Sequence, residues 1–276
     1  MTDTALSSWQ EQYMTASEAY PIAVCEEHIV PLLKRNFTRA VVVRDATLAA
    51  YADRVSALHD DELAGLYWHD ENHLRKRRSS GQVVHTDYVT KSDIAAESAA
   101  AKIRLNESDI AAFTEKCNAI RDLFIRVYNA YTNQPFEVMR GFTLFTPQGG
   151  RGRSPELHID NTILTVHWAA ALATFRVYDG ELDDDVWNAL SHIERKKKSP
   201  EDQQRDFESL IELAKVLPMI ENNVGDLMIT KGQLGQDLSS PQVRQQMCVH
   251  VSSPTIQENG QAGFLMTPQM PKLNPV

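Results

Sequence analysis

Hydrophobic spacing divides the chain into two unlike halves. Residues 1–35 are mixed and read as partly helical, Ala40–Arg44 (AVVVR) is a short β-branched run that reads as a strand, and the Ala- and Leu-rich stretch 46–66 reads as helix. Gln82–Val89 (QVVHTDYV) alternates like a strand. The clearest helix covers residues 108–131. There Ile110, Phe113, Cys117, Ile120, Phe124, Val127 and Tyr131 recur at spacings of three and four and build one apolar face. Asn106 or Ser108 can cap its start, and such a face packs on a sheet.

From residue 136 the period changes. Phe136–Thr146 reads as a strand, followed by a Pro-, Gly- and Arg-rich loop, Pro147–Pro155. Leu157–Ala170, Thr174–Tyr178, Asp226–Thr230, Gln246–Ser252 and Gly263–Met266 are strand-like. Residues 183–217, with Glu194–Lys198 among them, read as a polar, helical, solvated insertion. A helical first part (1–135) and a strand-rich second part (136–276) predict a single α+β domain on an antiparallel β-core.

Composition narrows the classes. With 42% hydrophobic and 24% charged residues the chain is of globular type, and 276 residues bury a core without covalent staples. The net charge of −9 argues against a nucleic-acid partner, because phosphate binding needs a cationic face. The basic cluster Arg75–Arg78 reads as a solvated loop. Cys25, Cys117 and Cys248 are odd in number, far apart and outside any CxxC, so they read as reduced thiols. No segment reads as a secretory signal, and no apolar run approaches the ~20 residues that span a bilayer. The expected place is the cytoplasm, with no membrane partner.

The chemistry concentrates in Leu157–Asn161 (LHIDN). Side chains alternate along a strand, so His158 and Asp160 share a face and set an imidazole beside a carboxylate. A distant His on a neighbouring strand would complete a facial triad of two His and one carboxylate, which leaves three positions open and suits non-haem Fe(II). His250, in CVHVSSP, is the best third ligand. Gly225-Asp226 opens the strand before it, GDLMITKG. His85-Thr86-Asp87 forms a competing HxD, but no Gly-Asp and His elements follow it at comparable spacing. His167 stands nine residues after His158, which by strand parity puts it on the opposite face and outside the site.

The ordered set of strand, loop, HxD, strand, Gly-Asp, strand and His resembles the Fe(II)/2-oxoglutarate-dependent oxygenase superfamily, over about residues 136–266. Its HxD…GD…KG…His order is also similar to a bacterial branch of uncharacterised domains. The resemblance implies a double-stranded β-helix (jelly-roll or cupin-like) core with flanking N-terminal helices. It implies Fe(II) held by His158, Asp160 and His250, with 2-oxoglutarate and O₂ as co-substrates and a small-molecule substrate. Asp160 stands where iron halogenases of the superfamily carry a small residue, so hydroxylation is implied rather than halogenation.

Members of the superfamily pair the far carboxylate of 2-oxoglutarate with an Arg or Lys, often about ten residues after the distal His. Val251–Pro271 contains neither. Arg176, on a strand after the HxD, is the first choice for that anchor, with Arg140 and Lys231 in reserve. Two other readings stand beside this one: a cupin-like metal enzyme that does not use 2-oxoglutarate, and a non-catalytic β-barrel binding protein with His158 and Asp160 as a structural pair.

Overall fold

The computed structural model describes residues 17–44, 88–100, 105–133, 139–146, 156–171, 175–190, 199–223, 225–252 and 261–268. The expected helix at 46–66, the Arg75–Arg78 cluster, the His85-Thr86-Asp87 motif, the 147–155 loop and Glu194–Lys198 lie outside the described residues.

The strands are β1 (Ile22–Ala23), β2 (Ala40–Val43), β3 (Met139–Thr146), β4 (His158–Ile159), β5 (Leu164–Ala171), β6 (Phe175–Tyr178), β7 (Met219–Glu221), β8 (Leu227–Lys231), β9 (Val249–Ser252) and β10 (Gln261–Pro268). They form a six-stranded sheet in the order β1-β2-β8-β5-β10-β3 and a four-stranded sheet in the order β4-β9-β6-β7. Every pairing is antiparallel except β1 with β2. The N-terminal part therefore supplies two strands to the larger sheet as well as helices that cover it.

Helix α1 spans Glu26–Leu33, α2 Lys91–Ala100 and α3 Glu107–Thr132. In α3, Asn106 caps the first turn, its side-chain oxygen accepting from Asp109 N at 2.9 Å. Asn133 closes the helix in the left-handed conformation (φ 56°). Between these ends the spacing of apolar residues does what periodicity requires. Phe113, Cys117, Ile120, Phe124 and Val127 are buried against Val41, Val43, Leu164, Val166, Trp168, Leu227 and Ile229 on the outer face of the larger sheet. Trp168 meets Phe113 with ring centroids 5.4 Å apart. Each such side chain contributes about 1.5–3 kcal/mol by leaving water, which fixes the sheet on which the rest is built.

The other face of that sheet meets the smaller one. Ala40, Val42 and Met228 pack against Val177 and Cys248, with Tyr20 wedged among them. The Tyr20 hydroxyl donates to Tyr178 O at 2.6 Å. Arg39, also buried, ties the two sheets at their rim. It donates to Tyr178 O at 2.9 Å and, in two bonds at 3.0 Å, to the backbone and side-chain oxygens of Gln245.

The outer face of the smaller sheet is covered by α4 (Asp184–Leu190) and α5 (Pro200–Val216), ahead of a short α6 (Pro241–Arg244). The first two of these helices fall within the segment 183–217, expected to be a solvated insertion. Residues 184–190 and 200–216 are helical, and one side of each helix packs on the sheet while much of the rest faces solvent. Val186, Trp187, Leu190, Leu210 and Ala214 are buried against Ile159, Tyr178, Met219, Val249 and Val251. Their apolar residues are few but fall on one side of each helix, enough to seal a sheet only four strands wide.

Gly225-Asp226 has a structural task. Gly225 takes φ 86°, a turn that favours glycine, and Asp226 accepts two bonds from Arg44 at 3.0 and 2.9 Å. All three cysteines are free. Among the described residues no helix is long and apolar enough to cross a membrane.

Candidate metal centre

β4 and β9 are neighbours in the smaller sheet, and their register sets His158 directly opposite His250. Residues paired across a ladder point to the same face, so the two imidazoles stand side by side with ring centroids 4.2 Å apart. Val177 continues the same row on β6. This face looks toward the larger sheet.

Each ring is oriented by its own backbone. His158 Nδ1 lies 3.0 Å from Glu156 O, and His250 Nδ1 lies 3.2 Å from Cys248 O. A carbonyl only accepts, so each Nδ1 is the donor, and it is Nε2 that keeps a lone pair in the neutral ring. That arrangement fixes the tautomer a metal ligand needs.

Asp160 follows β4 at the point where the chain leaves the sheet. Its Oδ1 lies 3.9 Å from His158 Nε2 and 3.9 Å from His250 Nε2. These gaps are too long for hydrogen bonds. They suit a shared cation, because two donors each about 2.0–2.2 Å from one ion stand no more than about 4.4 Å apart. Among the described residues His158, Asp160 and His250 form a group whose ligand atoms all lie within 4.8 Å of one another. The donor set of two imidazole nitrogens and one carboxylate oxygen fits a divalent transition metal.

The electrostatics favour the metal-binding forms. Burial, reinforced by the neighbouring His158, pushes His250 down to about 3, so its ring is neutral at neutral pH. Burial alone would raise Asp160, but His250, His167 and His158 outweigh it and hold the carboxyl well below the usual carboxylate range. The metal-free protein should therefore weaken in acid. The unfolded chain protonates His250 near pH ~6.5 while the fold refuses that proton until about 3. Stability from this group is thus present above pH ~6.5 and lost as pH falls, by up to about 1.4 kcal/mol per unit. Urea midpoints of metal-free protein at pH 7.5 and 5.5 check this; a midpoint that stays level or rises toward pH 5.5 contradicts it.

Asp160 is held by a backbone clamp. Gly232 N donates to Ile163 O, Gln233 N to Asp160 O and Leu234 N to Thr162 O, each at 3.0 Å. The segment after β8 thereby grips the loop of Asp160–Ile163. The approach is so close that a Cβ on Gly232 would lie 2.2 Å from Thr162 O and 2.6 Å from Asp160 O.

His167 also reaches the site. Its Nε2 lies 3.6 Å from Asp160 Oδ2, and its ring stands edge-on to His250 with centroids 5.4 Å apart. It is not one of the ligand group, but it does not stand on the far face that strand parity from His158 gives it. The run Leu157–Ala170 is two strands, not one: β4 and β5 lie in different sheets. The bend between them resets the alternation and sends His167 back toward His250 from the opposing sheet.

The three basic residues considered as an anion anchor separate by register. Arg176 pairs with Val251 and Glu221, one step out of phase with the His250–Val177 row. It therefore falls on the α5 side of the smaller sheet, not on the face of the triad. Lys231 pairs with Leu164, in the phase of Val166 rather than that of Thr165 and His167. It is buried, and burial lowers its pKa to about 8. Arg140 pairs with Thr267, two residues along from Leu265, which pairs with His167. Its register position thus shares the phase of His167.

No family model matches the chain, and no curated protein matches it. Among solved structures it is similar to a candidate oxygenase from Shewanella oneidensis, at 12% identity and TM-score 0.39, covering 93% of this chain and 90% of that one. It is also similar to a candidate member of the 2OG-Fe(II) oxygenase family from Caulobacter crescentus, at 13% identity and TM-score 0.38, covering 88% of this chain and 81% of that one.

Proposed function

We propose that the chain is a non-haem Fe(II) oxygenase that uses 2-oxoglutarate and hydroxylates a small-molecule substrate in the cytoplasm. The observation that carries this reading is the convergence of His158 Nε2, His250 Nε2 and Asp160 Oδ1, with both Nδ1 atoms turned to carbonyls. A facial set of three protein donors leaves three positions for co-substrates, the arrangement that suits Fe(II) oxygen chemistry.

The core in this reading is a double-stranded β-helix. In support, β3 to β10 fall in the larger, smaller, larger, smaller, smaller, larger, smaller and larger sheet in turn. That winding brings β4 and β9, far apart in sequence, into one ladder.

Bound Fe(II) would supply the means to activate O₂ while 2-oxoglutarate is converted to succinate and CO₂. The chain's own residues bind, orient and exclude water. His158 and His250 present their Nε2 atoms, and Asp160 supplies the one negative charge among them. Val177 and Met228, packed beneath, keep the rear of the site dry. A dianionic co-substrate also needs a cation at its far end, since an unpaired buried carboxylate is costly. Arg140 is the proposed anchor, because its register phase is that of His167; Arg176 and Lys231 are turned to other faces.

The same observation keeps a second reading open: a cupin-like metal enzyme that binds its substrate directly and does not use 2-oxoglutarate. One anaerobic titration separates the two. A keto acid chelated to Fe(II) gives a visible charge-transfer band. Adding 2-oxoglutarate to the Fe(II)-loaded protein should produce that band in saturable fashion, and Arg140→Ala should require at least about tenfold more co-substrate, from the loss of a charge-assisted pair. Absence of the band in a protein that holds Fe(II) selects the second reading.

A further inference from the structure

We infer that His167 is a positioning residue of the metal centre: it faces the outer oxygen of Asp160 and leaves Oδ1 alone turned to the metal. The inference rests on the reading of His158, Asp160 and His250 as ligands.

The two oxygens of Asp160 have different neighbours. Oδ1 looks toward His158 Nε2 and His250 Nε2, at 3.9 Å from each. Oδ2 looks toward His167 Nε2, at 3.6 Å. It is buried, and among the described residues no hydrogen bond reaches it. A carboxylate turns easily about its last bond, because that torsion is broad and two-fold. Left alone, it can offer a metal one oxygen or both. A donor facing Oδ2 removes that choice. The gap of 3.6 Å closes to a charge-assisted N–H···O⁻ bond of about 2.7–2.9 Å with a movement of under ~1 Å.

The origin of His167 matters as much as its distance. The three ligands come from β4, the loop after it and β9, all belonging to the smaller sheet. His167 comes from β5, in the middle of the larger sheet, where it pairs with the buried Met228. It is thus a fixed point on the opposing wall. Its ring is not one of the ligand group whose atoms lie within 4.8 Å of one another, so it acts through Asp160 rather than on the ion.

The test uses Co(II), whose visible spectrum reports coordination geometry, on the full chain. His167→Gln keeps an N–H at about the reach of Nε2; His167→Asn is one methylene shorter and falls short of Oδ2. Wild type should bind one Co(II). The Asn variant should bind it about 10–100-fold more weakly, the usual effect of losing a partner behind a metal ligand, with an altered Co(II) spectrum. The Gln variant should recover most of the affinity and the wild-type spectrum. Wild-type affinity and spectrum in the Asn variant overturn the inference. So does an equal loss in both variants, which a packing role alone would give. Failure of the wild type to bind Co(II) at all overturns the assignment of the ligands instead.

Discussion

His250→Ala is expected to lower Fe(II) affinity on the order of 10²–10³-fold. Structural metal sites with four ligands bind with apparent free energies of about 10–16 kcal/mol, about 2.5–4 kcal/mol per ligand, and about 1.4 kcal/mol is a factor of ten. The ladder fixes its place: His250 sits opposite His158, and its Nε2 is 3.9 Å from Asp160 Oδ1. His158→Ala should behave alike, since its ring is held in the same tautomer by Glu156 O. His28, exposed on α1, provides the control, and His28→Ala should bind as wild type does. Competition against a chelator of known affinity, run without oxygen, gives the three constants. Wild-type affinity in His250→Ala would remove the triad as the metal centre.

Gly232→Ala should cost both stability and metal. The added methyl meets Thr162 O at 2.2 Å and Asp160 O at 2.6 Å, which are backbone atoms that no rotamer change can move aside. Over-packing at such a point costs about 1–3 kcal/mol, occasionally more, and the upper end applies here. The same shift would push Asp160 out of line with the two imidazoles, because Gln233 N grips Asp160 O directly. Gly235 separates these effects. It has φ 74° and open space where a Cβ would go. Gly235→Ala should therefore cost about 1–2 kcal/mol from the left-handed backbone alone and leave metal affinity unchanged. Urea unfolding of the metal-free proteins and metal titration of the same samples read the two effects apart. Undiminished metal binding in a folded Gly232→Ala protein would contradict the clamp.

Those two sites show where the sequence is legible. The α3 helix is readable because its apolar face runs unbroken from Phe113 to Val127, and only a helix brings those positions together. His158, Asp160 and His250 are readable because HxD and a distal His form an ordered set, and the β4–β9 ladder brings its ends together. Strand parity fails wherever a bend intervenes. A residue's face can be counted only along one continuous strand, and the turn after Asp160 moves the chain from one sheet to the other. For that reason parity does not show His167 standing beside Asp160. The face of Arg176 is not legible for a related reason: alternation says which residues share a face, but not which face meets the larger sheet. That depends on the register of β6 with β9, a contact between segments far apart in the chain. The Gly232 clamp shows in the sequence only as the glycine after Lys231: its bonds join backbone to backbone, so no side chain marks which carbonyls it meets.

The central claim is that one metal ion lies between His158, Asp160 and His250. Crystals of the full chain loaded with Fe(II) without oxygen, measured on both sides of the iron absorption edge, test it most directly. One anomalous peak is expected about 2.0–2.2 Å from His158 Nε2, His250 Nε2 and Asp160 Oδ1, with His167 outside bonding distance. A peak elsewhere, or one bound through Nδ1 of either histidine, would contradict it.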